Sequence, residues 1–381
     1  MKINIITYDN GYGLSGDILI LKSYLEQLNL KELYLNHIKL ENENENKNEN
    51  ENEEENENLD IKVYNFYDYK CRECDINIYL EIYNNLLLKY AKINILIPNQ
   101  EWYYKNWICY LNNFDYILTK THYATNIFNS LVDKNKVKYI GWTSKDRFSR
   151  NYIMSFTNST IKCLHLCGRS KYKQTQTIID NWDLDFYPLT IVYSEKDIKL
   201  IKKEQKNIIY INNKLSELQI NKLFNTHLIH ICCSETEGFG HYINEAKSCQ
   251  KIILTTNSPP MNELINDTNG ILINCCLSKK LENTLGEYFL IDTNDFKEKM
   301  RNLKNINQNT LTHQLTKINE NEKKEQKEKE FFFYKNIIIN SRDSYINTKN
   351  EFKERFENVF KDFFKKIFDL KNENENENEN E

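Results

Sequence analysis

The chain has little glycine and proline, with nine Gly and four Pro among 381 residues. Because glycine is this scarce, each remaining one is expected where the backbone needs a conformation that other residues avoid. No apolar run approaches the ~20 residues that a membrane-spanning helix needs. The opening MKINIITYD lacks the long apolar stretch of a secretory signal, so we expect a cytoplasmic protein.

Disulfide chemistry is not indicated, although the chain contains ten cysteines. In a chain of this length that number does not make a disulfide scaffold, and the thiols are expected to stay reduced in the cytosol. Cys71 and Cys74 form a single C-x-x-C motif, and no second pair follows at the spacing of a zinc site. Zinc or redox chemistry at this motif is therefore the disfavoured interpretation.

Two Asn/Glu tracts hide the charge of the remaining chain. Residues 41–58 hold nine Glu and one Lys, and residues 372–381 hold five Glu. Without both tracts the formal net charge changes from −4 to +9, which suits an anionic ligand or partner. A nucleic-acid binder is a disfavoured alternative, because the cations form no patch interleaved with aromatic residues. Neither tract can bury an apolar face, so we predict a disordered insertion and a disordered tail.

Hydrophobic patterns predict two series of strands that alternate with helices. The first contains KINIITY, ELYLNHIKL, DIKVYNF, DINIYLE, INILIPN, DYILTK and KVKYIGW. The second contains IKCLHLC, LTIVYS, NIIYIN, LIHICCS, KIILTT and GILIN. Repeated βα units predict parallel sheets with helices on both faces. The expected fold class is therefore α/β, with two doubly wound, Rossmann-like domains that face each other across a cleft.

The predicted domain boundaries follow these patterns. They are an N-terminal domain at 1–150, a C-terminal domain at 160–300, a low-complexity insertion at 304–330 and a helical segment at 331–370. The helical segment is expected to cross back to the first domain. Six of its apolar side chains share one helical face: Phe352, Phe356, Phe360, Phe363, Phe364 and Ile367. We favour docking of this face on the protein itself over contact with a lipid surface.

Gly11, Gly13 and Gly16 form a G-x-G-x-x-G motif directly after the first predicted strand. This spacing is typical of a dinucleotide-binding turn, so a nucleotide-dependent oxidoreductase is one alternative. The parts that could bind an anion and a ribose recur, more completely, in the second half of the chain. We therefore favour a tight bend at which these glycines admit a diphosphate or a hydroxyl group of a ligand.

The stretch CCSETEGFGHYINEA carries the strongest functional signal. A predicted strand ends at its start and a helix begins near Gly240, which is where an open α/β sheet binds ligands. Free backbone amides there favour an anion, and Gly238 and Gly240 let phosphate oxygens come close. Glu237 and Glu245 lie beside this site, and such acids fit a ligand with neutral hydroxyls, as sugars have.

This stretch resembles the E-x7-E signature of retaining nucleotide-sugar glycosyltransferases, the group 1 or family 4-like enzymes of the GT-B fold. CLHLCGRSKYKQTQTIIDNW resembles that family's G-R…K element, and TTNSPPMNELINDTNGILI resembles its loop with a third acid. The resemblance covers most of residues 161–274. It implies that 1–150 is an acceptor-side domain and that 160–300 is a nucleotide-sugar-binding domain. It implies a hexosyltransferase-type enzyme that transfers a sugar from a nucleotide-diphosphate sugar to an acceptor hydroxyl, without a metal or another cofactor. The acceptor, whether glycan, lipid, protein or small molecule, is not specified, and a non-catalytic nucleotide-sugar-binding protein is a second alternative.

The resemblance also implies roles for individual residues. Glu237 would orient hydroxyls of the donor sugar, Arg169 and Lys173 would face the diphosphate, and Glu245 would hold the ribose. Lys171 competes with Lys173 as the second cation, because the family's motif is altered here. The other implied donor-binding residues are Gly13, Gly168, Ser170, Ser234, Gly238, Phe239, Gly240, His241 and Glu263. The acceptor-side candidates are Asn99, Glu101, Trp102 and His122, since the family's acceptor-side histidine has no clear counterpart.

Asp183 and Asp185 form a D-x-D motif, which binds a metal in another class of glycosyltransferases. Here the motif precedes FYPLTIVYS at a predicted helix-to-strand turn, where acidic residues are common. We therefore favour a structural role for both acids and expect no metal site.

Overall fold

The computed structural model describes residues 1–8, 11, 13–28, 59–68, 71–152, 161–304 and 323–378, and the side chains of the last helix over 333–370. The chain divides into two units. The first combines Met1–Trp142 with Lys349–Glu381, and the second is Thr143–Thr348. The predicted strand ELYLNHIKL, the insertion at 41–58 and most of the insertion at 304–330 lie outside the described residues.

The first unit is built on a six-stranded sheet in which all paired strands are parallel. Its strands are β1 (Lys2–Thr7), β2 (Asp60–Asn65), β3 (Cys74–Leu80), β4 (Ala91–Ile97), β5 (Tyr116–Thr119) and β6 (Val137–Tyr139). They lie in the order β2-β1-β3-β4-β5-β6. Ile3, Ile5 and Ile6 are fully buried, as expected of a parallel strand that is covered on both faces.

The glycine motif contributes to the first helix rather than to a long loop. Helix α1 is Gly13–Leu25, helix α2 is His122–Asn129, and short 3₁₀ turns occupy Asn85–Tyr90, Lys105–Asn113 and Lys134–Lys136. Of the three motif glycines, only Gly11 has a positive φ, at 71°. The predicted tight bend was therefore wrong for Gly13 and Gly16, which are helical. Apolar residues at helical spacing extend α1 back to the motif, and all four are buried: Leu14, Ile18, Leu21 and Leu25.

The second unit contains another six-stranded parallel sheet. Its strands are β7 (Cys163–Gly168), β8 (Leu189–Tyr193), β9 (Ile208–Ile211), β10 (Ile229–Cys232), β11 (Ile252–Thr256) and β12 (Ile271–Ile273). They lie in the order β12-β11-β10-β7-β8-β9, so the direction of winding reverses between β7 and β10. Ligands of such sheets bind outside the carboxyl ends of the strands at this reversal. The topology therefore predicts that a ligand binds at the loops after β7 and β10.

Five helices between residues 175 and 304 accompany this sheet. They are α3 (Thr175–Asp180), α4 (Glu217–Thr226), α5 (His241–Ser248), α6 (Met261–Leu264) and α7 (Thr293–Lys304). Trp182, Phe296 and Ile229 are fully buried in one apolar core that also takes in the strand residues. Two parallel sheets with flanking helices confirm the predicted class, α/β with two doubly wound domains.

A two-stranded antiparallel hairpin follows the second sheet and was missed by the sequence analysis. It consists of β13 (Cys275–Lys280) and β14 (Glu287–Ile291). The β13 sequence CCLSKK has no alternation of apolar and polar residues that would predict a strand. The residues of β13 are mostly exposed, so no buried face requires such an alternation.

The C-terminal helix α8 is Lys323–Asn378, which is longer than the predicted segment at 331–370. It includes 323–330 and 372–378, residues that the sequence analysis assigned to an insertion and a tail. The six apolar residues of its predicted face are buried. Phe352 lies 4.9 Å from the Tyr24 ring and 5.1 Å from the Trp142 ring between ring centroids, and Phe363 lies 4.4 Å from Tyr116. Among the described residues, no helix has both the length and the apolar character to cross a bilayer.

Candidate active site

A lysine and a glutamate from different loops meet where the winding of the second sheet reverses. Lys173 ends the 3₁₀ turn Lys171–Lys173 that follows β7, and Glu237 lies in the loop that follows β10. Their side chains form an ion pair between Nζ and Oε1 and are 13% and 15% exposed. Two of the residues that the resemblance assigns to the donor sugar and the diphosphate are therefore in direct contact.

Ser234 and Tyr242 hold this pair in place. Ser234 Oγ donates a hydrogen bond of 2.5 Å to Glu237 Oε1, and the Tyr242 hydroxyl lies 2.6 Å from Ser234 Oγ. Because the single Ser234 proton is directed to Glu237, Tyr242 is the donor in the second bond. Burial raises the pKa of Tyr242 well above its ordinary value, so the phenol keeps that proton. The Lys173 ammonium also lies 3.5 Å from the centroid of the Tyr242 ring, which is a cation–π contact.

The loop that carries Glu237 needs glycine at the start of α5. Gly240 is the N-cap residue of this helix and has φ 102°. A Cβ atom there would lie 3.1 Å from Leu264 Cδ1 and 3.2 Å from Ile243 Cδ1. Gly240 therefore permits both the left-handed turn and the packing beneath it. The turn places the N-terminus of α5, with its partial positive charge, directly after the Glu237 loop.

His241, the first residue of α5, was predicted to contact the donor. Its Nδ1 atom lies 2.9 Å from the Ser144 hydroxyl. Phe239 is buried and its ring lies 5.5 Å from the His241 ring between centroids. Gly238 is buried beside them. These contacts set the orientation of the imidazole at the helix start.

His165 connects β7, β10 and α3 within the second unit. Its Nδ1 atom lies 2.8 Å from the Ile231 carbonyl oxygen, and its Nε2 atom lies 2.9 Å from Thr175 Oγ1. Since a carbonyl can only accept, the ring proton is on Nδ1, and Nε2 accepts from Thr175. Burial lowers the pKa of His165 to about 4, so the ring is neutral near pH 7. The sequence analysis did not find this residue, because a lone histidine in a strand carries no local signal.

The second acid of the motif, Glu245, pairs with a cation that was not predicted. Arg147 Nε lies 2.9 Å from Glu245 Oε2, and both side chains are largely buried. The Arg147 guanidinium also bonds Glu217 Oε2 at 3.0 Å and Asn221 Oδ1 at 2.6 Å. Arg147 thus fixes the orientation of Glu245. Only the tertiary structure could identify it, because its partners are 70 to 98 positions away along the chain.

The other two predicted cations take different positions. The Arg169 guanidinium is half exposed and lies 2.9 Å from Asp197 Oδ1. A hydrogen bond from Ser194, together with Arg169, lowers the pKa of Asp197 below its ordinary value. Lys171 is exposed, and its Nζ atom lies 5.2 Å from the centroid of the Tyr172 ring. Of the two competing lysines, the structure therefore brings Lys173 to Glu237.

The remaining predicted donor-side residues do not all lie in this cluster. Gly168 ends β7, and Ser170 Oγ accepts a hydrogen bond of 3.3 Å from the Tyr172 amide at the turn. Glu263 is exposed in α6, which follows the carboxyl end of β11. Gly13 belongs to the first unit, where it begins α1.

All four acceptor-side candidates belong to the first unit and follow its strands β4 and β5. Asn99 donates from Nδ2 to the Glu81 carboxylate. Glu101 is buried, whereas the Trp102 side chain is 46% exposed. His122 is exposed and stacks on Tyr139 with ring centroids 3.9 Å apart. These residues follow the carboxyl ends of their strands, the usual ligand-binding edge.

The motifs with metal-binding potential have other partners. Asp183 lies 3.3 Å from Arg301, and Asp185 lies 2.9 Å from Lys304. Burial raises the pKa of the Cys74 thiol to about 12, so it is not a thiolate near pH 7. In the part of the chain that the structure describes, no three His, Cys, Asp or Glu side chains are grouped so as to hold a metal ion.

For two buried asparagines near the site, we predict opposite effects of substitution on the free energy of unfolding. Asn244 is 1% exposed, and within the described residues neither polar atom of its amide has a hydrogen-bond partner. Asn225 is 2% exposed and bonds the Arg147 and Asn221 carbonyl oxygens and the Ser149 amide. We expect Asn244→Ala to raise the free energy of unfolding by about 1 kcal/mol, because it removes an unsatisfied group from a helix. Asn225→Ala should lower it by about 1–3 kcal/mol.

Urea unfolding of the two variants beside the wild type measures both changes. The two side chains are of the same type and similarly buried, so the comparison isolates their hydrogen bonds. A destabilised Asn244→Ala variant would contradict the assignment of an unsatisfied amide.

Comparison with known proteins finds a family match over part of the chain and a shared fold. Residues 192–310, just under a third of the chain, match the family described as glycosyl transferases group 1. No curated protein matches the sequence. A glycosyltransferase from Rickettsia africae ESF-5 has a similar structure, with a TM-score of 0.55, 13% identity, and coverage of 95% of this chain and 98% of that chain.

Two further solved structures share the architecture. HepE of Anabaena in complex with UDP superimposes with a TM-score of 0.58 at 12% identity, over 94% of this chain and 100% of that chain. HepE has also been solved in complex with UDP-glucose. Sucrose-phosphate synthase from Thermosynechococcus elongatus superimposes with a TM-score of 0.51 at 8% identity, over 76% of this chain and 73% of that chain. At such low identity these likenesses show the GT-B fold alone. The family match lies in the second unit and includes Glu237 and Glu245.

Proposed function

We propose that this protein, a glycosyltransferase with a group 1 domain in its second unit, transfers a hexosyl group from a nucleoside-diphosphate sugar to an acceptor hydroxyl with retention of configuration. One observation carries the proposal: the Lys173–Glu237 ion pair lies at the winding reversal, beside the N-terminus of α5. A cation and a helix N-terminus suit a diphosphate, and the adjoining carboxylate suits sugar hydroxyls.

The transfer step requires stabilisation of the departing diphosphate. The bond from the anomeric carbon to the phosphate oxygen breaks while the acceptor oxygen bonds the same face of that carbon. The acceptor proton passes to the departing diphosphate. Negative charge therefore grows on phosphate oxygens, where Lys173 and the first amides of α5 act on it. With these groups in place, the step does not require a metal ion.

The acids and the second cation would position the donor. Glu237, oriented by Ser234, would accept hydrogen bonds from the sugar hydroxyls. Glu245 would accept from the ribose, since a carboxylate has about four acceptor sites and Arg147 uses only part of them. Arg169 would exchange its surface partner Asp197 for a phosphate oxygen, with which a guanidinium forms strong bidentate bonds.

The first unit would bind the acceptor at the carboxyl edge of its sheet. The exposed face of Trp102 offers a surface on which an acceptor can pack. The Asn99–Glu81 pair offers polar groups for its hydroxyls. His122 and Glu101 lie on the same edge of the sheet.

A panel of nucleoside-diphosphate sugars tests the proposed function. Thermal unfolding with each compound should identify at least one donor that raises the midpoint, because a ligand at 100 times its Kd adds about 2.7 kcal/mol of stability. The same compound should then be consumed by the wild-type protein, through hydrolysis when no acceptor is supplied.

The control arms separate the alternatives. Glu245→Ala should weaken the donor-induced shift. NAD(H) serves as the probe for an oxidoreductase, and a donor that binds without turnover would indicate a non-catalytic binding protein. A panel in which no sugar nucleotide or nucleoside diphosphate raises the midpoint would overturn the proposal.

A further inference from the structure

We propose that the β13–β14 hairpin is a positioning element of the active site, and that it fixes the position of the turn carrying Lys173 relative to the loop carrying Glu237. This inference rests on the proposed function and extends it to residues with no predicted role. The hairpin acts on both members of the ion pair through three connections, all made by β14.

The first connection is the side chain of Gln174, which directly follows Lys173. Gln174 joins the 3₁₀ turn to α3 in the left-handed conformation, with φ 51° and ψ 30°, and is 4% exposed. Its Nε2 atom donates to the Phe289 carbonyl at 3.3 Å, and its Oε1 atom accepts from the Ile291 amide at 3.0 Å. A left-handed conformation strains a non-glycine residue and persists only where its surroundings hold it. Both bonds to β14 supply that restraint beside Lys173.

The second connection passes through the backbone of Glu235, two residues before Glu237. The Glu235 amide donates to the Tyr172 carbonyl at 2.7 Å, and the Glu235 carbonyl accepts from the Phe289 amide at 2.8 Å. The loop after β10 therefore lies between the Lys173 turn and β14, and it is bonded to both. A shift of the hairpin would move the two halves of the ion pair relative to each other.

The third connection is a ring contact. Tyr172 and Tyr288 stack with ring centroids 4.9 Å apart and an interplanar angle of 28°. Tyr172 directly precedes Lys173 and Gln174 directly follows it, so β14 restrains the residues on both sides of Lys173 in the chain. Stacked aromatic pairs contribute stability beyond that of the area that they bury.

These connections have a catalytic consequence if the Lys173 ammonium stabilises the departing diphosphate. The benefit of a fixed charge depends on its placement, and a misplacement of about 1 Å can cost about 10²-fold in rate. The outer strand β13 is mostly exposed, with Leu277 more than half exposed. The part of the hairpin that bears on the site is therefore β14.

Gln174→Gly is the first of two variants that test this role. Glycine adopts the left-handed conformation without strain, so this change removes both hydrogen bonds to β14 and leaves the backbone geometry accessible. We expect kcat for donor turnover to fall at least ~10-fold, while KM for the donor changes less than ~3-fold. The thermal midpoint should stay within a few degrees of the wild-type value.

Tyr288 supplies a second and independent test. Tyr288→Ala should lower kcat in the same way, and Tyr288→Phe, which keeps the ring, should restore it. Leu277→Ala on β13 is the matched control and should have wild-type kinetics. Wild-type kcat in both Gln174→Gly and Tyr288→Ala would overturn the positioning role while leaving the proposed function intact. Absence of donor turnover in the wild type would instead remove the proposed function, and the positioning role with it.

Discussion

Lys173→Met is expected to lower kcat for sugar transfer about 10²- to 10³-fold, the usual loss when one preorganised group that stabilises developing charge is removed. Lys173 is the cation that meets Glu237 at the winding reversal, and it lies against the Tyr242 ring. Methionine keeps most of the length and the apolar stem of the side chain and deletes only its charge. The free energy of unfolding should fall by about 1–3 kcal/mol, because the largely buried Glu237 carboxylate loses its cation but keeps the Ser234 hydrogen bond.

Lys171→Met is the matched control for this prediction. It deletes the same charge from the same turn, two residues earlier and on an exposed side chain. Its kcat should stay within about threefold of the wild-type value, because a solvent-exposed charge contributes little. Initial rates at saturating donor, with the thermal midpoint of each variant, separate catalysis from folding. A Lys173→Met enzyme that turns over at the wild-type rate would refute the assigned role.

Lys120→Met is expected to cost about 3–5 kcal/mol of stability, because it leaves a carboxylate buried without its cation. Lys120 Nζ lies 2.6 Å from Asp17 Oδ2, and the two side chains are 1% and 2% exposed. Trp142 Nε1 donates to the other oxygen of Asp17 at 2.5 Å, and the Lys120 ammonium lies 4.9 Å from the Trp142 ring. The pair connects α1, the end of β5 and the end of β6 within the first unit.

A double-mutant cycle tests this interaction. Asp17→Asn combined with Lys120→Met removes both charges, so it should cost less than the sum of the single changes, with a coupling of at least ~1 kcal/mol. The exposed pair Lys22–Glu26 lies at the C-terminal end of helix α1, and Lys22→Met should change stability by less than about 0.5 kcal/mol. Unfolding in urea measures all of these values. Additive single changes, or a loss below ~1 kcal/mol in Lys120→Met, would contradict a coupled buried pair.

The strands of both sheets were predictable because their pattern is local. KINIITY, INILIPN and LIHICCS are apolar runs of the length expected for strands buried on both faces, and each corresponds to a strand of the structure. The position of Glu237 was predictable for the same reason, since a strand, a glycine loop and a helix start follow one another directly. The start of α1 was predicted less accurately. Glycine disfavours a helix, but the buried apolar face of α1 outweighs this preference and extends the helix through Gly13 and Gly16.

The identity of the cation at the site was left open by the sequence. Lys171 and Lys173 fit the motif equally well, and they differ by two positions in a short turn. The turn conformation decides between them, since Ser170 caps it and Gln174 ends it in the left-handed region. That conformation depends in turn on β14, more than 110 residues away in the chain.

The amino-acid sequence by itself determined the two α/β units, the apolar face of the last helix and the place of the Glu237 loop, because each is set by neighbouring residues and by the periodicity of strands and helices. Only the tertiary structure decided which side chains meet: Arg147 with Glu245, Tyr242 with Ser234, Lys120 with Asp17, and β14 with the Lys173 turn. These contacts join residues whose separation along the chain carries no periodic signal. They form because the parallel sheets bring the carboxyl ends of distant strands to one edge.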